Sequence, residues 1–177
     1  MKKLLALCLC LLTVCFSTVA CSKQGGVNVP MGFQLASDPK IVDYLLFVPE
    51  KWTVDMRTGT TSAYYSTYDP TNITASLMPL ESAEGGIDAY FESYSKQFAD
   101  VFGEPENLET ANLLLDGKEA KQYVYSTTFG DTEYKFWQVI CIHSQRVYTI
   151  TLSSTAANYD MHITDMQAAL EHFAFVE

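Results

Sequence analysis

Basic residues are scarce in this chain. Its 177 residues include 11 Lys and Arg against 21 Asp and Glu, which gives a formal net charge of -10 at pH 7. A protein this acidic repels nucleic acids and anionic bilayers. We therefore predict no nucleic-acid partner and no electrostatic adhesion to a membrane surface.

Cysteine is almost absent outside the amino terminus. Of the five cysteines, Cys8, Cys10, Cys15 and Cys21 lie in the first 21 residues, and Cys141 lies far beyond them. A lone cysteine cannot form an internal disulfide, so the folded chain must be stabilised by packing. We interpret Cys141 as a small apolar core residue rather than a nucleophile, because no known motif places a base beside it.

The chain also lacks the compact motifs that mark common enzymes and metal sites. It contains no Gly-x-Ser-x-Gly elbow, no glycine-rich phosphate loop, no Cys-x-x-Cys pair and no His-Glu-x-x-His. We therefore rank an enzyme below a binding protein, and we predict neither an enzymatic activity nor a cofactor.

Two of the three histidines supply the candidates for a metal site. His162 and Asp165 are three residues apart on a predicted helix, close enough to share one ion. His143 and Cys141 share one face of a predicted strand, where the pair could bind a soft metal. Two ligands are too few for a stable site. The alternatives are a solvent-exposed helix surface for His162 and Asp165 and a partly exposed strand end for His143.

The longest apolar run lies at the amino terminus. Residues 1–3 include two lysines, residues 4–16 are apolar, and small residues follow up to Cys21. A basic start, a short apolar run and small residues before a break are typical of a secretory signal and too short for a stable membrane span.

The end of this segment resembles the lipobox of bacterial lipoproteins. Val19 and Ala20 precede Cys21 as in that motif, whereas Thr18 stands where leucine is usual. The resemblance implies a lipoprotein signal peptide over residues 1–20 and diacylation of Cys21 after cleavage, with acyl chains such as palmitate. Two chains usually suffice for stable attachment, here to the extracytoplasmic face of the cell membrane. The alternatives are an ordinary secretory peptide and an uncleaved anchor.

Composition divides the rest of the chain at one point. Residues 21–31 are polar and glycine-containing without periodicity, and we predict a flexible tether there. From residue 32 to 177 no composition shift, charge run or internal repeat divides the sequence, and this length suits one domain with a sizeable core.

Residues 119–154 dominate this domain. They form three runs rich in β-branched and aromatic residues, joined by short polar links at residues 130–131 and 144–145, which predicts an antiparallel meander. Both faces of the central run are apolar, so both must be covered. Further strands are predicted over residues 32–37, 44–49, 62–68, 72–80 and 107–115.

Two segments have the periodicity of amphipathic helices. One apolar stripe covers residues 87–102 and is followed by Gly103, a residue that commonly ends a helix. The second covers residues 159–173, with Asn158 or Asp160 as its predicted cap. We expect these helices to cover the two faces of the sheet.

This order of elements resembles that of the PsbP and Mog1 fold. The likeness covers nearly all of residues 32–175; its main segments are residues 32–35, 47–52, 72–77 and 173–175, and Pro49-x-x-Trp52 is the part closest to a motif. The resemblance implies an α+β fold with an antiparallel sheet sandwiched between helices. It also implies a family that acts mostly by binding, in photosystem assembly and stabilisation in plants and as a small GTPase partner in nuclear transport. No motif carries a functional residue of either namesake onto this chain, and similar lipoproteins also occur in non-photosynthetic bacteria.

Two functions remain open. We predict a membrane-anchored extracytoplasmic lipoprotein that acts as a non-enzymatic protein-binding or assembly factor. The alternative is a small-molecule or metal receptor that uses a cleft between the sheet and a helix. An apolar surface patch would favour the first function, and a deep pocket with converging polar groups would favour the second.

Overall fold

A computed structural model describes residues 22–24, 26–55 and 61–176. The predicted signal peptide and Cys21 lie outside these residues. Within the described ranges, no helix is both long and apolar enough to cross a membrane.

Thirteen strands and two α-helices follow one another along this part of the chain. In chain order they are β1 (Ser22–Gln24), β2 (Val27–Val29), β3 (Phe33–Leu35), β4 (Tyr44–Leu45), β5 (Phe47–Pro49), β6 (Thr53–Asp55), β7 (Thr61–Tyr64), β8 (Asn72–Pro79), α1 (Ile87–Phe102), β9 (Glu106–Leu115), β10 (Lys118–Phe129), β11 (Thr132–His143), β12 (Arg146–Thr155), α2 (Ala156–His172) and β13 (Ala174–Phe175). A short 3-10 turn, Leu80–Ala83, precedes α1.

The centre of the molecule is a seven-stranded antiparallel sheet with the order β6-β7-β8-β12-β11-β10-β9. Strands β10, β11 and β12 form the predicted meander. The turn between β11 and β12 has positive φ at both Ser144 and Gln145, and the turn between β9 and β10 does so at Asp116 and Gly117. Turns of this kind match the right-handed twist of the flanking strands, which fixes their register.

The two helices cover opposite faces of the sheet, as predicted. On one face α2 packs a large apolar core together with residues such as Val139, Ile150 and Leu152. On the other face Phe91 and Phe98 of α1 pack on a second cluster. Alternation along β10, β11 and β12 supplies both clusters from the same three strands, because successive side chains point to opposite faces. The architecture is α+β, with the sheet between helices.

Two short strands lie within the segment for which the composition predicts a flexible tether. Strands β1 and β2 pair as an antiparallel hairpin. The Leu35 backbone N–H donates to Gln24 Oε1 at 3.1 Å, and Val29 is buried beside Leu35 and Phe47. Strands of three residues are too short to show periodicity, so their pairing depends on packing against the domain.

Candidate functional site

A buried polar network joins α2 to the loop before β8. His162 is 2% exposed, and its Nε2 lies 2.8 Å from Asp69 Oδ2. Its Nδ1 lies 3.5 Å from Asp165 Oδ2. The alternative of a solvent-exposed helix surface for His162 and Asp165 is therefore wrong, because both residues are buried. Both residues share the sheet-facing side of α2 with Tyr159 and Met166, a helical spacing that the sequence contains.

Asp69 is held by hydrogen bonds from several elements. The Thr71 backbone N–H and Oγ1 donate to Asp69 Oδ1 at 3.1 and 2.6 Å. Burial favours the neutral acid and would raise the pKa of Asp69, but hydrogen bonds from Thr71, His162 and Asn158 outweigh it and lower that pKa to about 2. The carboxylate is therefore ionised at neutral pH. Asn158, predicted as a helix cap, lies inside α2 and bonds to this carboxylate instead.

Asp165 connects the network to the Pro-x-x-Trp segment. Trp52 Nε1 donates to Asp165 Oδ2 at 3.0 Å, and Lys51 Nζ lies 2.9 Å from the same oxygen. The rings of Trp52 and Tyr65 lie 5.5 and 4.6 Å from the ring of His162. Two aromatic rings and two carboxylates thus surround one imidazole.

The contacts of this network do not favour a metal site. Asp69 and Asp165 contact opposite nitrogens of His162, so the two carboxylates do not converge with the imidazole on one point. In the described part of the chain, no three His, Cys, Asp or Glu side chains are placed to hold an ion. The network is instead a set of hydrogen bonds that ties α2 to the sheet.

The same network lacks the contact that activates a hydroxyl nucleophile. Ser154 Oγ lies 2.6 Å from Thr71 Oγ1, and Thr71 in turn donates to Asp69. Ser154 therefore reaches His162 only through two other side chains. Nucleophilic catalysis by serine requires a direct contact between the hydroxyl and its base.

The structure separates His143 from His162 and Asp165. His143 pairs with Arg146 at one end of the meander, whereas the network lies beside Ser154 near the other end of β12. The His143 ring lies 4.6 Å from the ring of Phe175, and its Nε2 lies 3.0 Å from Ser144 Oγ. His143 is thus a strand-end residue packed on the carboxy-terminal strand.

Cys141 lies in the core, in agreement with the sequence interpretation. It is fully buried, and its thiol donates to the Glu119 carbonyl at 3.4 Å. Burial raises the pKa of the thiol to about 11, despite the opposing charge of Lys118. Cys141 is therefore neutral at pH 7, which suits neither a nucleophile nor a thiolate ligand.

An open groove lies on the α1 face of the sheet. It has a volume of about 410 Å³ and lies between the end of α1 and the strand ends of β10, β11 and β12. Residues 70–72 and 153–155 form its polar margin. Its apolar wall consists of five aromatic side chains, Phe98, Phe102, Phe129, Tyr134 and Phe136. We call it the aromatic groove.

Two rings form an exposed rim on the aromatic groove. Phe102 is 40% exposed and Phe129 is 54% exposed, and their ring centroids lie 5.7 Å apart. Phe98 lies behind them, 4.9 Å from Phe102 and 5.3 Å from Phe136. The stripe along α1 predicts the position of Phe98 and Phe102 on one helix face. It does not predict that the last turn ends beside Phe129, which depends on how α1 lies across the sheet.

A larger cleft at the beginning of α1 is a poorer candidate. Its volume is about 740 Å³, but Asp88 and Lys121 in its lining already bind each other at 2.6 Å. The aromatic groove combines concave shape with partly exposed rings, the combination that marks interaction sites. We therefore take the aromatic groove as the candidate functional site.

Comparison with known proteins establishes the fold. No family model and no curated protein sequence matches the chain. An antiparallel sheet between two helices defines an α/β/α sandwich. Within that class the fold is PsbP-like. The chain is similar to the solution structure of cyanobacterial PsbP (CyanoP) from Synechocystis sp. PCC 6803, with a TM-score of 0.63 and 17% sequence identity. The similarity covers 87% of this chain and 98% of that one.

Two further solved structures are similar. One is LpqN, which is involved in cell envelope biogenesis of Mycobacterium tuberculosis, with a TM-score of 0.50 and 12% identity over 84% of this chain and 81% of that one. The other is a protein of unknown function, PA94 from Pseudomonas aeruginosa, with a TM-score of 0.53 and 15% identity over 79% of this chain and 94% of that one. At these identities the likeness concerns the fold.

Proposed function

We propose that the protein is a membrane-anchored extracytoplasmic lipoprotein that acts as a non-enzymatic protein-binding or assembly factor. The observation that carries this proposal is the aromatic groove with the exposed rings of Phe102 and Phe129 at its rim. Aromatic side chains that are partly exposed over a concave apolar wall are typical anchors in protein interfaces.

The comparisons and the amino terminus support this proposal. The fold is shared with cyanobacterial PsbP and with LpqN, a protein of cell envelope biogenesis. The lipobox-like sequence that ends at Cys21 supports a lipid anchor, and an acidic chain needs such an anchor to stay on an anionic membrane.

The anchor is tested by intact mass. We expect protein purified from its own membranes to have the mass of a chain that starts at Cys21 and carries acyl chains. Cys21→Ser is expected to move most of the protein from the membrane fraction to the soluble fraction, since the two acyl chains supply the membrane affinity. An unmodified mass, or a membrane fraction unchanged by Cys21→Ser, would contradict lipidation.

The groove is tested by crosslinking in intact cells. We expect a recurrent crosslinked protein that is lost when Phe102→Ala and Phe129→Ala are combined, because truncating interface anchors typically costs about 2 kcal/mol or more, roughly a 30-fold loss of affinity. Leu114→Ala is the matched control, since Leu114 is 67% exposed and lies at the far end of β9. Retention of the crosslinked protein in the double variant would exclude the groove as its site.

A receptor for a small apolar ligand is the second candidate. A volume of about 410 Å³ lies in the range of small-molecule sites, and the groove lies between the sheet and a helix. Calorimetry with a series of apolar ligands distinguishes the two functions. Heat that disappears in the Phe102→Ala and Phe129→Ala double variant would favour the receptor.

A further inference from the structure

The charges around the aromatic groove are of one sign. Glu104 lies two residues after Phe102, just beyond the end of α1, and Asp131 lies two residues after Phe129. Both acidic residues are exposed. Among the described residues, neither makes an ion pair. From residue 97 to 117 the chain has five Asp and Glu residues and neither Lys nor Arg.

The nearest lysines along the chain are engaged elsewhere. Lys96 Nζ lies 2.7 Å from Glu92 Oε1. Glu92 lies one turn before Lys96, and both residues are on the exposed side of α1. Lys135 lies on the opposite face of β11, with its Nζ 4.6 Å from the centre of the Tyr159 ring. Neither lysine is therefore paired with the acidic side chains beside the rim, and the exposed charges next to Phe102 and Phe129 are negative.

From this arrangement we propose that the aromatic groove binds a cationic amphipathic segment of a partner protein. Apolar side chains of the segment occupy the groove against Phe102 and Phe129, and its Lys or Arg side chains face Glu104 and Asp131. This inference rests on the proposed protein-binding function and names the chemistry of the partner. Complementary charge speeds association and excludes like-charged partners.

The same charges argue against the other occupants. A second copy of this chain would bring one acidic rim against another, and like charges in contact are unfavourable. An anionic lipid surface is repelled for the same reason, since the whole chain has a net charge of -10.

Titration calorimetry with synthetic peptides tests the proposal. The full chain carries Cys21→Ser, which leaves it without a lipid anchor. One probe is a peptide of leucine, phenylalanine and lysine, and its control has glutamate in place of lysine. We expect the lysine peptide to bind, the glutamate peptide not to bind, and the affinity to fall by about tenfold or more when NaCl is raised from about 0.05 to about 0.5 M.

Variants distinguish the contribution of the acidic side chains to peptide binding from that of the aromatic wall. We expect Glu104→Lys combined with Asp131→Lys to weaken binding of the lysine peptide by about tenfold or more and to allow the glutamate peptide to bind. Glu171→Lys, an exposed change at the end of α2, is the control for charge and is expected to leave the affinity within about twofold. The combined Phe102→Ala and Phe129→Ala change is expected to abolish binding of the lysine peptide. Circular dichroism checks that each variant is folded.

The possible outcomes are distinguishable. No binding of the lysine peptide, or equal binding of both peptides, overturns the inference. If the groove variants still lose the crosslinked cellular protein while the lysine peptide fails to bind, the protein-binding function stands and the cationic partner does not. Binding to vesicles of phosphatidylglycerol that depends on Phe102 and Phe129 would replace the peptide partner by a membrane surface and also overturn the inference.

Discussion

Replacing Trp52 by alanine is expected to lower the free energy of unfolding by about 3–5 kcal/mol, the usual cost of deleting a buried tryptophan. Trp52 is 2% exposed, and its ring lies 5.9 Å from Tyr65 and 5.5 Å from His162. Its Nε1 donates to Asp165 at 3.0 Å. The substitution therefore leaves a cavity and removes a donor from a buried carboxylate. Urea denaturation followed by circular dichroism measures the loss.

Two further variants show which part of Trp52 matters. Trp52→Phe keeps most of the ring volume and removes the donor, and we expect a smaller loss of about 1–2 kcal/mol, because Lys51 remains 2.9 Å from Asp165. Tyr68→Ala is a control on a ring that is 97% exposed, with an expected change below about 0.5 kcal/mol. A Trp52→Ala loss no larger than that of Tyr68→Ala would mean that the ring does not support the core.

The elements that the sequence predicts well are those decided by local pattern. The stripe over residues 87–102 and the glycine after it predict a helix, and α1 runs from Ile87 to Phe102 with Gly103 as its C-cap. The meander follows from alternation within each strand and from two-residue turns, which fix the register without distant contacts.

The polar network shows what local pattern leaves out. Asp69 and His162 are 93 residues apart in sequence, and nothing near Asp69 indicates a distant partner. His162 itself carries a signal, since it is three residues after Tyr159 and four before Met166 on one helix face. A polar residue inside an apolar stripe indicates a buried group with a partner, but its partner is known only from the fold.

The aromatic groove is not predictable from the sequence for a different reason. Phe98 and Phe102 both belong to the apolar stripe of α1. This pattern in the sequence is the same whether or not the sheet extends beneath both side chains. Phe102 is 40% exposed because α1 ends over the margin of the sheet, next to the turn after Phe129. A hydrophobic stripe predicts the face that a helix turns toward the core, and the crossing of helix and sheet decides which of its residues remain exposed.

Asp69 gives the second large prediction. Asp69→Ala is expected to lower the free energy of unfolding at neutral pH by about 3–5 kcal/mol, since several buried donors lose their acceptor, at a cost of about 1–3 kcal/mol each. The groups left behind are the Thr71 backbone N–H and hydroxyl, Asn158 and the buried His162 ring. Urea denaturation of the variant beside Thr128→Ala, an exposed change on β10, measures the difference.

Asp69→Asn separates the charge from the shape of the side chain, and pH provides the test. Hydrogen bonds that outweigh burial hold the pKa of Asp69 in the folded protein at about 2, below the value of about 3.9 for an unfolded chain. Because the folded pKa is the lower one, the ionised carboxylate stabilises the fold fully above about pH 5, and this contribution disappears as the pH falls toward about 2. The free energy of unfolding of the wild type should therefore exceed that of Asp69→Asn by about 2 kcal/mol at neutral pH, with the gap closing in acid. A gap that stays constant down to about pH 2 would show that shape, and not charge, makes Asp69 stabilising.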